Sequence, residues 1–64
     1  MKSIHILLIE DNEGDIILTQ EALEESKITN KVSIVRDGNE AILFLNQEEK
    51  YKNSVLPEMI LLDI

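Results

Sequence analysis

The sequence predicts a small α/β domain on a parallel sheet, with its elements in the order β-α-β-α-β. Three observations predict it. Ile4-His5-Ile6-Leu7-Leu8-Ile9 and Met59-Ile60-Leu61-Leu62 are short, nearly continuous apolar runs, the pattern of strands covered on both faces. Each run finishes in carboxylates, Glu10-Asp11 after the first and Asp63 after the second. Between them lie two segments that open with helix-capping residues, separated by a β-branched stretch. Strands that alternate with helices form parallel sheets with right-handed crossovers.

After the first strand, Asn12-Glu13-Gly14-Asp15 changes character. Asn12 is a good N-cap, and acids in a first turn complement the helix dipole. A helix is expected over 14–26, with Ile16, Ile17, Leu18, Ala22 and Leu23 on a wide apolar arc and Glu21, Glu24 and Glu25 on the wet side. The polar stretch 26–31 breaks it. Val32-Ser33-Ile34-Val35 then alternates and is β-branched, which reads as a strand. Asp37 and Glu40 have the spacing of a capping box. The second helix is expected to run to about residue 47, with Ala41, Phe44 and Leu45 facing inward. Residues 46–58 form a polar loop that contains Tyr51. Its Pro57 disfavours helix just before it and announces the last strand.

Composition narrows the function. Sixty-four residues allow one small domain, and a chain of this length buries only about 60% of its unfolded surface. Without cysteines no disulfide offsets that, and with one histidine no structural zinc site forms. Thirteen acids against six bases give a net charge of −7, which disfavours direct binding to nucleic acid or to anionic membrane surfaces. The apolar runs are far shorter than the roughly 20 residues of a membrane span, and the N-terminus carries no cleavage signature. A cytoplasmic protein is expected.

The acids carry the chemistry. Ligands of open α/β sheets bind beyond the carboxyl ends of the strands, where strand order reverses. In the order 2-1-3 the first and third strands are neighbours about 4.8 Å apart, and Glu10, Asp11 and Asp63 converge. Like charges so close repel unless a cation neutralises them. Mg²⁺ suits oxygen ligands and keeps several waters, so a few carboxylates suffice. Glu10 and Asp11, which come as a pair, are the better metal holders. Asp63, alone after its strand, is the better nucleophile, since carboxylates form aspartyl-phosphate intermediates. Taken singly these acids read more simply: Asp11 as a cap for the first helix, and Asp37, Asn12 and Asp15 as cap and dipole residues. His5 lies far from the acidic edge and reads as packing or surface, and Tyr51 reads as a loop anchor.

Three segments resemble the receiver domain of two-component response regulators: residues 6–12 its first strand and acidic pair, 36–41 the opening of its second helix, and 57–64 its third strand with the phosphoacceptor. Their order and spacing match, and together they cover nearly all of the chain. The resemblance implies a flavodoxin-like, doubly wound parallel sheet, of which residues 1–64 are the N-terminal half of a single receiver domain. It implies that Asp63 takes a phosphoryl group from a sensor histidine kinase, that Asp11 ligates Mg²⁺ directly, and that Glu10 acts nearby through water. Many receivers have Asp where this chain has Glu10. The remaining metal-shell carbonyl, a phosphoryl-binding hydroxyl and a lysine are expected beyond Ile64. Arg36-Asp37-Gly38, Phe44-Leu45 and the loop Tyr51-Lys52-Asn53-Ser54 are similar to the small stand-alone receivers that work with phytochrome-like kinases, a group that commonly lacks an output domain and often forms a homodimer. A different class also sets acids after strands: metal-dependent phosphoester enzymes of the topoisomerase-primase type. Their first motif normally has Gly directly after the Glu, where this chain has Asp11, and the chain's negative charge disfavours a nucleic-acid enzyme.

Overall fold

The computed structural model describes residues 3–26 and 30–62. The elements are β1 (Ile4–Ile9), α1 (Glu13–Glu25), β2 (Asn30–Val35), α2 (Gly38–Leu45), a 3₁₀ turn (Glu49–Tyr51) and β3 (Met59–Leu62). The three strands form one parallel sheet in the order β2-β1-β3. This is the strand order on which the convergence of the acids depends.

β1 lies in the centre because its residues tolerate cover on every side. It pairs with β2 from Ile4↔Asn30 to Ile9↔Val35, and with β3 from Ile6↔Met59 to Ile9↔Leu62. Leu7 and Ile9 pack with Val35 and with Ala41 and Phe44 of α2, and Tyr51 closes that cluster from the side. Strand alternation sends Ile6 and Leu8 to the opposite face, where Ile4, Ile6 and Leu23 of α1 line a common cavity. Helices therefore cover both faces. Leu7, Leu8 and Val35 are fully enclosed, and each such side chain contributes on the order of 1.5–3 kcal/mol.

β2 begins at Asn30, two residues before the β-branched stretch. Lys31 and Asn30 pair through their backbones, and an outer strand tolerates polar side chains. Asn30 also donates its side-chain N–H to the Leu23 carbonyl at 2.9 Å, tying the strand to the end of α1.

α1 starts as its cap predicts: the Asn12 side chain accepts from the Asp15 N–H at 2.9 Å, and Glu13 and Asp15 occupy the first turn. Its apolar arc is narrower than expected. Ile16 is its one buried residue and Leu23 is half-buried, while Ile17, Leu18 and Ala22 are exposed. The sheet touches a stripe at spacings of three to four, and the residues after Ile16 rotate by about 100° each away from it. α2 buries Ala41 and Phe44, while Leu45 is only partly covered. α2 ends at Leu45 rather than near 47, because Gln47 adopts a left-handed φ of 55°.

The expected capping box forms by half. Asp37 accepts from the Glu40 N–H at 2.8 Å. The Glu40 carboxylate instead accepts from the Tyr51 hydroxyl at 2.8 Å and pairs with Lys50 at 3.9 Å. Tyr51 is thus the loop anchor expected, its ring tilted against Phe44 at 5.1 Å. Its hydroxyl pKa is raised, by burial first and then by the bond to Glu40, with Lys50 opposing. His5 is packing: its Nε2 lies 2.7 Å from the Ser33 hydroxyl, and its ring faces Phe44 at 6.0 Å. The His5 carbonyl accepts from the Glu58 N–H at 2.8 Å, which seats the chain just before β3.

Candidate functional site

The carboxyl edge of the sheet is built by register. Ile9 is level with both Val35 and Leu62, so all three strands reach the same edge together. The Glu10 N–H donates to the Val35 carbonyl at 3.0 Å and carries the pairing one residue past Ile9. That bond fixes the Glu10 backbone, and the residue is only 4% exposed. Asp11, the next residue, is exposed. Asn12 takes the capping role for α1, so Asp11 is not consumed as a cap.

A depression of about 130 Å³ opens at this edge, lined by Ile9, Glu10, Asp11, Arg36, Asp37, Gly38 and Leu62. Two of the three acids expected from the sequence, Glu10 and Asp11, are brought together there. The third, Asp63, lies outside the described residues, although β3, which leads to it, borders the depression through Leu62. Among the described residues no three metal-ligating side chains converge. Asp37 has a second position besides its cap, on the wall of the depression.

Arg36 was not among the expected site residues. Its guanidinium donates to the Glu13 carboxylate at 2.6 Å, joining the residue after β2 to the first residue of α1. The signal was available: once the order is 2-1-3, the residue following the second strand must open on the same edge as the acids.

The donor set fits a hard divalent cation. Glu10 and Asp11 offer only oxygens, one carboxylate held inside and one facing water, and Mg²⁺ binds through one or two carboxylates while retaining waters. No thiolate is present to favour a softer metal.

A parallel β2-β1-β3 sheet, covered by helices on both faces and acidic at the exit of its central strand, is the beginning of a flavodoxin-like receiver fold. Comparison with known proteins agrees. No family model matches the chain. It is 48% identical over 59 residues to the response regulator Rcp1 of Synechocystis sp., an alignment that covers 92% of this chain and 40% of that protein. It is 39% identical over 59 residues to a probable methanogenesis regulatory protein, FilR2 of Methanothrix harundinacea, covering 92% of this chain and 37% of the other. The crystal structure of the phosphorylated cyanobacterial phytochrome response regulator RcpA superposes with a TM-score of 0.89 at 48% identity, over 98% of this chain and 45% of that one. The Mn²⁺-bound form of response regulator Rcp1 gives a TM-score of 0.84 at 44% identity, over 89% and 41%.

In sequence and backbone alike the chain is similar to the receiver domains of response regulators. The chain spans about two fifths of the length of the relatives it matches. None of these similarities supports the phosphoester-enzyme reading. No helix among the described residues is long and apolar enough to cross a membrane.

Proposed function

We propose that the chain supplies the acidic half of a phosphoacceptor receiver. In this reading Glu10 and Asp11 hold Mg²⁺, Asp63 is a further ligand and the phosphoacceptor, and a histidine kinase is the phosphoryl donor. The observation that carries the reading is the register of Ile9 with Leu62, which brings the strand leading to Asp63 to the edge where Glu10 and Asp11 stand. The Mn²⁺-bound form of a relative supports a divalent cation as the ligand. The phytochrome response regulator RcpA among the relatives supports a phytochrome-like kinase as partner, and in this reading the protein signals in the cytoplasm.

The chemistry is a transfer between two nucleophiles. The Asp63 carboxylate oxygen attacks phosphorus, the P–N bond of a phosphohistidine breaks, and the imidazole nitrogen keeps the electron pair and takes up a proton. A divalent cation supplies charge neutralisation, so that a carboxylate can approach an anionic phosphoryl group. The carboxyl edge of the sheet positions; the kinase donates. The product carries a charge of about −2 at Asp63, roughly one unit more negative than the carboxylate it replaces, which biases a two-state element. We read the protein as a switch rather than a metabolic catalyst, with residues 1–64 as the N-terminal half of one receiver domain and a homodimer as its working state.

The test is acid-labile labelling of the natural full-length protein by acetyl phosphate with Mg²⁺. Asp63→Asn is expected to abolish the label. Label that survives in the variant would remove Asp63 from this role.

A further inference from the structure

We propose that Arg36, held by Glu13, sets the charge of the acidic edge: it restrains cation affinity there and favours the approach of an anionic phosphoryl donor. The second half of this statement rests on the receiver reading; the first half does not.

Three observations carry it. Arg36 is the one basic side chain among the described residues lining the depression, whose other charged walls are Glu10, Asp11 and Asp37. Its guanidinium donates to Glu13 at 2.6 Å. Both partners are more than half exposed, at 54% and 65%. An exposed pair of this kind adds little to stability, so holding the fold is a poor account of it. Its place is better explained by the field it creates. Glu13 lies two residues beyond Asp11, and Arg36 directly precedes Asp37, so the pair joins the two chain segments that supply the acids.

The physical consequence has a definite sign. A positive charge on the wall of a cation site opposes cation binding and attracts anions over a Debye length of about 8 Å at physiological salt. Removing Arg36 makes the edge one unit more negative and leaves the Glu13 carboxylate uncompensated. Removing the Glu13 charge does the reverse. A brace that merely held the two segments together would act differently, because losing either partner would then impair both properties in the same direction.

The experiment compares Arg36→Gln, Arg36→Lys and Glu13→Gln in the natural full-length protein, with two readouts. Mn²⁺ affinity is measured by paramagnetic resonance titration, and labelling rate with acetyl phosphate. Arg36→Gln is expected to tighten Mn²⁺ binding about two- to fivefold, the size of an exposed charge effect, and to slow labelling by a similar factor. Glu13→Gln is expected to weaken Mn²⁺ binding and quicken labelling. Arg36→Lys keeps the charge and is expected to restore both readouts, and all three differences should shrink in high salt. Arg36→Gln and Glu13→Gln both weakening Mn²⁺ binding, without rescue by lysine, would overturn the proposal in favour of a brace. Unchanged affinity in both variants would also overturn it. If the parent protein takes no label at all while the Mn²⁺ shifts appear with the expected signs, the receiver reading fails and the charge-setting role of Arg36 stands.

Discussion

Ile6, Leu7, Leu8 and Ile9 of β1 are 4, 0, 1 and 9% exposed, while Met59, Ile60 and Leu62 of β3 are 47, 47 and 62% exposed. The two strands have almost the same composition and lie side by side in register. What separates them is position. β1 is bonded on both edges and covered on both faces, whereas the described residues give β3 one bonded neighbour, and both helices make sheet contacts with β2. An apolar run thus announces a strand that wants cover; only topology decides which run receives it. Uncovered apolar strands at a sheet edge are prone to further pairing, so among the described residues β3 is the strand open to more pairing and β1 the one already paired on both edges.

The contrast is broken or sharpened most strongly by truncating one side chain in each strand. Leu7→Ala is expected to cost about 2–5 kcal/mol through lost contacts and the cavity left behind. At roughly 0.05–0.15 kcal/mol per residue, a chain of 64 residues has only about 3–10 kcal/mol in total, so that loss is a large share of it. Leu62→Ala in the same 64-residue chain is expected to change stability by less than about 1 kcal/mol. Denaturant unfolding followed by circular dichroism measures both. Equal losses would mean that β3 is covered in solution, for instance by a second copy of the chain.

A smaller effect probes the cover over β1 itself. Phe44 and Tyr51 close one face of that core, and the Tyr51 hydroxyl is held above its usual pKa of 10.0 by burial and by Glu40. A raised value in the folded state means that the neutral phenol stabilises the fold. This contribution is complete below pH 10 and is lost as pH rises through the folded-state value. Ultraviolet titration should show native Tyr51 ionising later than the denatured residue, with Glu40→Gln narrowing the gap. Coincident midpoints would mean that the Phe44–Tyr51 lid is open.

The parts legible in the sequence are those governed by short-range rules. The β-α-β-α-β order followed from apolar runs and caps, and Asn12 and Asp37 cap as their residue types demand. The strand order 2-1-3 entered only as the condition under which the acids would meet, and the sheet has that order. The rest depended on distant neighbours. Ile17 and Leu18 look as apolar as Ile16, and only the direction of the sheet separates them. Glu40 has the capping-box position, yet Tyr51, eleven residues on, claims its carboxylate. The 3₁₀ turn sits in a segment of no clear periodicity and begins with Glu49 at a φ of 52°. Arg36 entered the sequence reading only as part of the Arg36-Asp37-Gly38 resemblance, with no site role, and became a wall of the acidic depression through the pairing of β2 with β1.

The central claim is that one cation sits where β1 and β3 reach the carboxyl edge together. Line broadening by Mn²⁺ in the NMR spectrum of the natural full-length protein tests it directly. The amide signals of Glu10, Asp11, Gly38 and Leu62 should broaden first, those of Ile4, His5 and Glu58 at the other end of the sheet should stay sharp, and Asp11→Asn should remove the effect. Broadening centred on Glu21, Glu24 and Glu25, or unchanged by Asp11→Asn, would contradict the account.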